Sequence, residues 1–278
     1  MLGQLATLRG ARILGTVLLG LLVNTVSITG QEVITPKQPI ALFNGKDLSN
    51  FYTWLGSPGR AQPPLGKNSD PKGVFTVQHG MIRISGEIFG ALTTEKEYEN
   101  YHLIVEFKWG EKTFPPREKA ARDSGILLHC VGEDGAAAGF WMESIECQII
   151  EGGTGDIILV AGKNRPSVTA TVRREGNQLY YDPKGESVTV DRGRINWSHR
   201  DPNWRDVLGF RGKNDVEKPH GEWNRVECIC DGDNITILVN GVLVNACTKA
   251  SHRRGKIQIQ SEGAELFIRR VELLPLKQ

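Results

Sequence analysis

The chain has 278 residues, 24% of them charged, and its 34 basic and 32 acidic side chains leave a formal net charge of +2. Neither sign is gathered into a long block, which argues against nucleic acid or an anionic membrane surface as the partner. Beyond a leader, the length suits one large all-β domain able to bury a substantial core.

Residues 1–30 read as a signal peptide: Arg9 and Arg12 precede an apolar run from Ile13 to Val23, and small and polar residues follow from Asn24 to Gly30. The run is shorter than the ~20 residues that span a bilayer, so export to a secreted or periplasmic location outweighs a membrane anchor. Residues 31–39 form a leader and 40–278 the domain. A first strand is expected at 40–43, closed by the turn Asn44-Gly45-Lys46-Asp47, and a Gly- and Pro-rich loop at 56–73.

Strand patterns then dominate, at 74–78, 81–85, 102–109, 125–130, 145–150, 156–161, 167–172 and 178–182. They resume at 225–230, 235–239, 242–246, 256–260 and 265–274. Asn240-Gly241 between two alternating runs is a strong hairpin signal, because both residues tolerate positive φ. Many short strands with no competing helical period predict two antiparallel sheets packed as a sandwich, or a barrel. One outward face would then serve as a concave floor, framed by long loops at 112–122, 132–139 and 192–221.

The cysteines number five, Cys130, Cys147, Cys228, Cys230 and Cys247, so at least one has no partner within the chain. Cys228 and Cys230 alternate with polar neighbours and read as buried thiols on a strand's core face, since metal motifs space their ligands more widely. A disulfide to another cysteine stays open. Gly152 to Gly155 lacks the lysine of a phosphate loop and reads as a turn, and Asp231 to Asn234 reads as a hairpin, too short for a calcium loop. Asn196-Trp197-Ser198 fits the glycan acceptor pattern, which is common by chance. In the same loop Trp197 and Trp204, with His199, Arg200 and Arg205 around them, either stack on a sugar ring or plug the edge of the sandwich.

The segment from Asp123 to Asp156 carries the chemistry. Alternation places Ile126, Leu128 and Cys130 on one face with His129 opposite, and Cys147 and Ile149 on one face with Glu146 and Gln148 opposite. If the apolar residues face a core, then His129, Glu146 and Gln148 face out of it, either onto a merely wet sheet surface or into a site. Glu143 and Glu146 are three apart and point to opposite faces, so a glycosidase pair would need a partner such as Asp123, Glu151, Asp156 or Glu262.

Six separated stretches carry a family resemblance: Ala41 to Phe51, Asp123 to Leu128, Ile145 to Ile150, Gly221 to Asn224, Val239 to Gly241 and Ile259 to Leu273. Together they resemble the 3-keto-disaccharide hydrolase domain family. The resemblance implies a concanavalin A-like lectin/glucanase jelly roll and an exported bacterial protein acting on carbohydrate, an oligosaccharide or an oxidised glycoside. In that family the strand matching Asp123 to His129 often begins Asn-Ser-Gly and ends in Arg; Asp123 and His129 stand there instead.

The chemistry implied is C2 proton abstraction from a 3-keto-glycoside, loss of the C1 oxygen and addition of water, needing a base, an acid and enolate stabilisation. Glu146 or His129 would be base or acid, with Asp123 orienting His129. Gln148 would bind a sugar hydroxyl, and Gln258, Gln260 and Glu262 would contribute from another strand. A divalent metal would suit the enolate, but no ligand spacing identifies one. A non-catalytic carbohydrate-binding module is the alternative, since this fold hosts both; a scaffold role in an exported complex is a third.

Overall fold

The computed structural model describes residues 1–3 and 32–277, so the expected signal peptide lies outside the described residues apart from its first three. The chain divides into two units, Met1–Gly30 and Gln31–Gln278, and the second holds the strands. There are 21 of them, with no helix among the described residues.

They form two sheets, of 13 and 8 strands. Across the middle of the larger one run, in order, Gly90–Thr94, Arg254–Ser261, Asp123–Val131, Glu143–Ile150, Ile157–Val160 and Arg194–Asn196. The smaller sheet is built around Asn234–Val239, Asn224–Asp231, Tyr101–Thr113 and Ala264–Pro275. Alternation explains the packing: Ile126, Leu128, Ile145, Cys147, Ile149, Ile257 and Ile259 of one sheet share a core with Leu103, Val105, Phe107, Val226, Cys228 and Ile237 of the other. The expected two-sheet all-β sandwich is what forms.

Asn240 and Gly241 have φ of 51° and 81° and join Val239 to Val242 in the expected tight hairpin. All five cysteines are free and buried, and Cys228 and Cys230 point into the core as their alternation predicts. Cys130 does not. The strand Asp123–Val131 carries a bulge after Leu128, seen as a register shift against both neighbouring strands. His129 takes the extra position with φ of 54°, so the residues beyond it change faces. Cys130 therefore joins Leu127, Ala137, Met142 and Val160 in a small outer cluster. Gly255 permits the bulge, because a Cβ there would meet the His129 carbonyl carbon at 2.6 Å.

Phe51–Leu55 and Gly90–Thr94 are among the strands with no counterpart in the sequence reading, as is Arg194–Asn196 within the expected 192–221 loop. Gly90–Thr94 is wholly buried yet small at every position but Leu92, because it is hemmed in: a Cβ on Gly90 would lie 2.2 Å from the Trp54 carbonyl oxygen. Tight packing on both faces erases the apolar alternation that marks an ordinary strand.

Candidate functional site

The register of the larger sheet lines up polar residues on its outer face. Gln258 pairs with Leu127, Leu127 with Glu146, Glu146 with Ile158, and Ile158 with Arg194. One step along, Gly125 stands opposite Gln148, with Gln260 on its other side. Neighbouring rows of alternating residues thus make a floor of Gln260, Gly125, Glu146 and Gln148, bordered by Asp123 and Glu262.

Gly125 is the gap in this floor. A Cβ there would lie 2.2 Å from Glu146 Oε1 and 2.4 Å from Gln260 Oε1, so the two oxygens lean over the glycine from opposite sides. Both are buried and neither has a hydrogen-bond partner; the same holds for Asp123 Oδ1. A buried acceptor with no donor is costly, and a proton retained on Glu146 lowers that cost.

The charges agree with this. Burial, then repulsion from Asp123, pushes the Glu146 carboxyl up to about 8 against the pull of Arg194. Burial likewise pushes Asp123 up to about 7, opposed by Arg117 and Arg194. Glu262, partly buried beside both, is raised well above the usual carboxylate range by burial and by their charges. Arg117 from the loop before the strand donates from Nη2 to Asp123 Oδ2 at 3.0 Å and to Asp206 Oδ1 at 2.9 Å. The site is therefore a group of carboxyls sharing too little positive charge for all to ionise.

Arg194 links this floor to a cleft of about 360 Å³ bounded by Gln178, Arg194, Asn196, Arg200 and Trp204. Beneath it, fully buried Asp156 accepts from Arg200 Nη1 at 2.7 Å, Arg194 Nη1 at 3.1 Å and the Trp197 backbone N–H at 2.7 Å. Trp204 lies under the Arg200 guanidinium, 4.2 Å from ring centre to Cζ, and its indole donates to the Glu151 carbonyl at 2.8 Å. Glu151 also pairs with Arg122 at 2.8 Å and accepts from the Gly209 N–H at 2.8 Å, stapling the 192–221 loop to the sheet.

The family model for the 3-keto-alpha-glucoside-1,2-lyase-like domain matches residues 38–274. The chain belongs to that family. Membership makes carbohydrate the partner class, as the six stretches implied. Among solved structures, a Parabacteroides distasonis protein described as a glycosyl hydrolase is similar at 18% identity and TM-score 0.48, over 86% of this chain and 100% of that one. A Bacillus licheniformis β-glucanase is similar at 14% identity and TM-score 0.41, over 85% and 97%. A Bacillus subtilis carbohydrate-binding module is similar at 9% identity and TM-score 0.38, over 80% and 94%. No curated protein matches the sequence.

Within this 3-keto-glucoside lyase-like domain the structure brings together Glu146, Asp123, Gln148, Gln260 and Glu262, and separates His129 from them. The bulge turns His129 inward: it is fully buried, its Nδ1 lies 2.9 Å from the His252 carbonyl oxygen, and its ring meets the edge of Tyr101 at 5.5 Å. Burial lowers its pKa to about 4, leaving a neutral core imidazole. Asp123 sits six positions back along the strand, roughly 20 Å away at strand rise, and holds Arg117 rather than His129.

Two other expectations on sugar-binding residues, Trp197 and Gln258, change. Trp197 is 1% exposed in the main core, its indole donating to the Gly152 carbonyl, so it plugs the sandwich edge. Trp204 instead lines the cleft. Gln258 is fully buried and spent on scaffolding, accepting from the Met142 N–H and donating to Thr93 Oγ1, both at 3.0 Å. Asn196 of the glycan pattern is buried and donates to Gln178, which makes it inaccessible in the folded protein.

Gln148 stays on the floor, its Oε1 accepting the Ile149 N–H at 2.9 Å. Glu143 points away, as parity predicts, and meets His252 at 3.0 Å. Of the other carboxylates considered as partners, Glu151 is committed to Arg122 and Asp156 to its two arginines. Among the described residues no three His, Cys, Asp or Glu side chains are set to hold a metal ion.

Arg117 and Arg194 were not singled out by sequence reading, and neither was Phe89. Phe89, Phe140 and Trp141 pack mutually at 5.4 to 6.4 Å between ring centres and remain partly exposed. Trp141 donates to the carbonyl of Gly90, which pairs with Ser261, so this aromatic wall borders the Gln260 and Glu262 side of the floor. Of the segments expected to frame the face as loops, 112–122 supplies Arg117 and 192–221 supplies Trp204, whereas Phe140 and Trp141 follow just after 132–139 and Arg194 lies on the strand Arg194–Asn196.

Proposed function

We propose that this protein cleaves the glycosidic bond of 3-keto-glycosides by elimination. The observation that carries the reading is the carboxyl group over Gly125, where Asp123 and Glu146 hold protons near neutrality and one oxygen of each lies unpartnered. Elimination needs such a division of labour.

In this reading Asp123, kept available as a carboxylate by Arg117, removes the proton from C2. The C2–H electron pair forms an enolate with the C3 carbonyl, and Arg194 offsets the charge that develops on oxygen. The enolate collapses, the C1–O bond breaks, and Glu146 gives its proton to the departing oxygen. Water then adds across the resulting double bond, giving net hydrolysis. Gln148 and Gln260 hold sugar hydroxyls, and the Phe89, Phe140 and Trp141 wall offers an apolar ring face. The apolar run after Arg9 and Arg12 supports export, so the reading puts this activity outside the cytoplasm.

The test is incubation of the purified protein with 3-keto-glucosides and with the parent, unoxidised disaccharides. Release of a 3-keto sugar or its unsaturated product from the oxidised glycoside alone supports the reading. Tight sugar binding with no product would make the protein a binding module.

The rate should also follow a narrow bell. It rises as pH climbs through about 7, where Asp123 loses its proton, and falls above about 8, where Glu146 loses the proton it must donate. A rate flat from pH 5 to pH 10 would remove both carboxyls from the mechanism. Gly125→Ala tests the geometry, since its methyl would overlap Glu146 Oε1 and Gln260 Oε1. Displacing both is expected to cost about 100-fold in kcat, with retained folding checked by circular dichroism.

A further inference from the structure

The cleft beside Arg194 has a chemical bias that the elimination does not use. Gln178 Oε1 already accepts from Tyr180 Oη at 2.9 Å and from Asn196 Nδ2 at 3.1 Å, so the free end of its side chain is the amide NH₂. Asn196 Oδ1 is taken by Arg200 Nη1 at 2.6 Å. Both carboxylate oxygens of Asp156 are already engaged, while the Arg194 side chain remains 30% exposed after giving one nitrogen to Asp156. What these side chains still offer is therefore donors, with two guanidinium groups against one buried carboxylate.

The charge continues past this wall. An adjoining cleft shares Arg200 and adds Lys213 and Arg173, the latter paired with Glu175, with Asp201 as the acidic member of its lining. A neutral sugar, whose hydroxyls both donate and accept, gains nothing special from such a lining. An anionic substituent does.

We propose that this cleft is a subsite for an anionic group, a carboxylate or a sulfate ester, on the sugar leaving from C1. The placement on the leaving side rests on the elimination reading above, because Arg194 is the wall common to the carboxyl floor and the cleft. The preferred substrates would then be oxidised glycosides of acidic sugars.

The experiment measures binding to the intact protein by calorimetry, using a glucose–glucuronic acid disaccharide, its sulfated counterpart and the neutral glucose–glucose disaccharide. These unoxidised sugars cannot undergo the elimination, so the outcome is independent of turnover. The acidic ligands should bind at least about tenfold tighter at low salt, and the advantage should shrink as salt rises. Whichever acid binds tighter names the group.

Gln178→Glu keeps an oxygen for Tyr180 and Asn196 but puts negative charge at the free end of an exposed side chain. It should erase the acidic advantage and leave the melting temperature unchanged. Equal affinity for acidic and neutral disaccharides, or an advantage that survives Gln178→Glu, would overturn the proposal. Loss of 3-keto-glycoside cleavage with the preference intact would instead overturn the elimination reading alone.

Discussion

Replacing Glu146 with Gln is expected to lower kcat/KM on a 3-keto-glycoside by about 10²- to 10⁴-fold and, at the same time, to make the protein more stable. The kinetic half follows from removing the proton donor while keeping its shape. The stability half follows from linkage. In the unfolded chain the glutamate ionises near 4.5, whereas in the folded protein it keeps its proton to about 8. Between those values the folded state binds the extra proton, so stability falls as pH rises.

Glutamine has no proton to retain, and at pH 7 the relief is on the order of 3 kcal/mol. Melting temperatures of both proteins at pH 5 and pH 8 should therefore diverge, the variant gaining at pH 8. An unimpaired rate would sink the donor role of Glu146. An equal pH dependence of melting would sink the retained proton. Because the two readouts move in opposite directions, simple misfolding cannot imitate the expected result.

The fold and half of the site were legible because both rest on period-two alternation, which a sheet enforces through its geometry. Glu146, Gln148 and Gln260 fall on the outer face as their parity requires. His129 shows where that reasoning ends. A bulge costs one residue of register, and nothing in Ile-Leu-Leu-His-Cys marks the position where it occurs, since the left-handed conformation at His129 is stabilised by tertiary packing against Gly255 and the His252 carbonyl.

Trp197 and Trp204 show a different limit. The two tryptophans lie in the same loop with similar neighbours, and only the burial of one under the sandwich edge separates plug from cleft wall. Arg117 comes from a loop held by the long-range bond from the Ala121 N–H to Asp206, and Arg194 from the three-residue strand Arg194–Asn196, too short to show an alternation. Sequence gives their charge but not the carboxyls they face. Gly125 was equally silent, although its missing Cβ decides whether Glu146 and Gln260 can lean together.

Asp156→Ala is expected to cost about 3–5 kcal/mol of stability, the penalty for stripping one partner from a buried ion pair. The carboxylate is fully buried, and removing it leaves Arg200, itself 5% exposed, without a counter-charge and the Trp197 N–H without an acceptor. Denaturant midpoints would read the loss. The double variant Asp156→Ala with Arg200→Met should recover a large part of it, because the stranded charge has gone.

A loss below about 1 kcal/mol, the range of exposed ion pairs, would show that water reaches the clamp and that Arg194 is not held by it. The same substitution reaches the chemistry. Asp156 is one of the charges that raise the Glu146 carboxyl, and it also draws on Arg194, which lowers it. Deleting it therefore acts in one direction on both counts. The alkaline limb of the pH–rate profile should move to lower pH in Asp156→Ala, and an unmoved limb would mean that the buried clamp and the carboxyl floor are electrically separate.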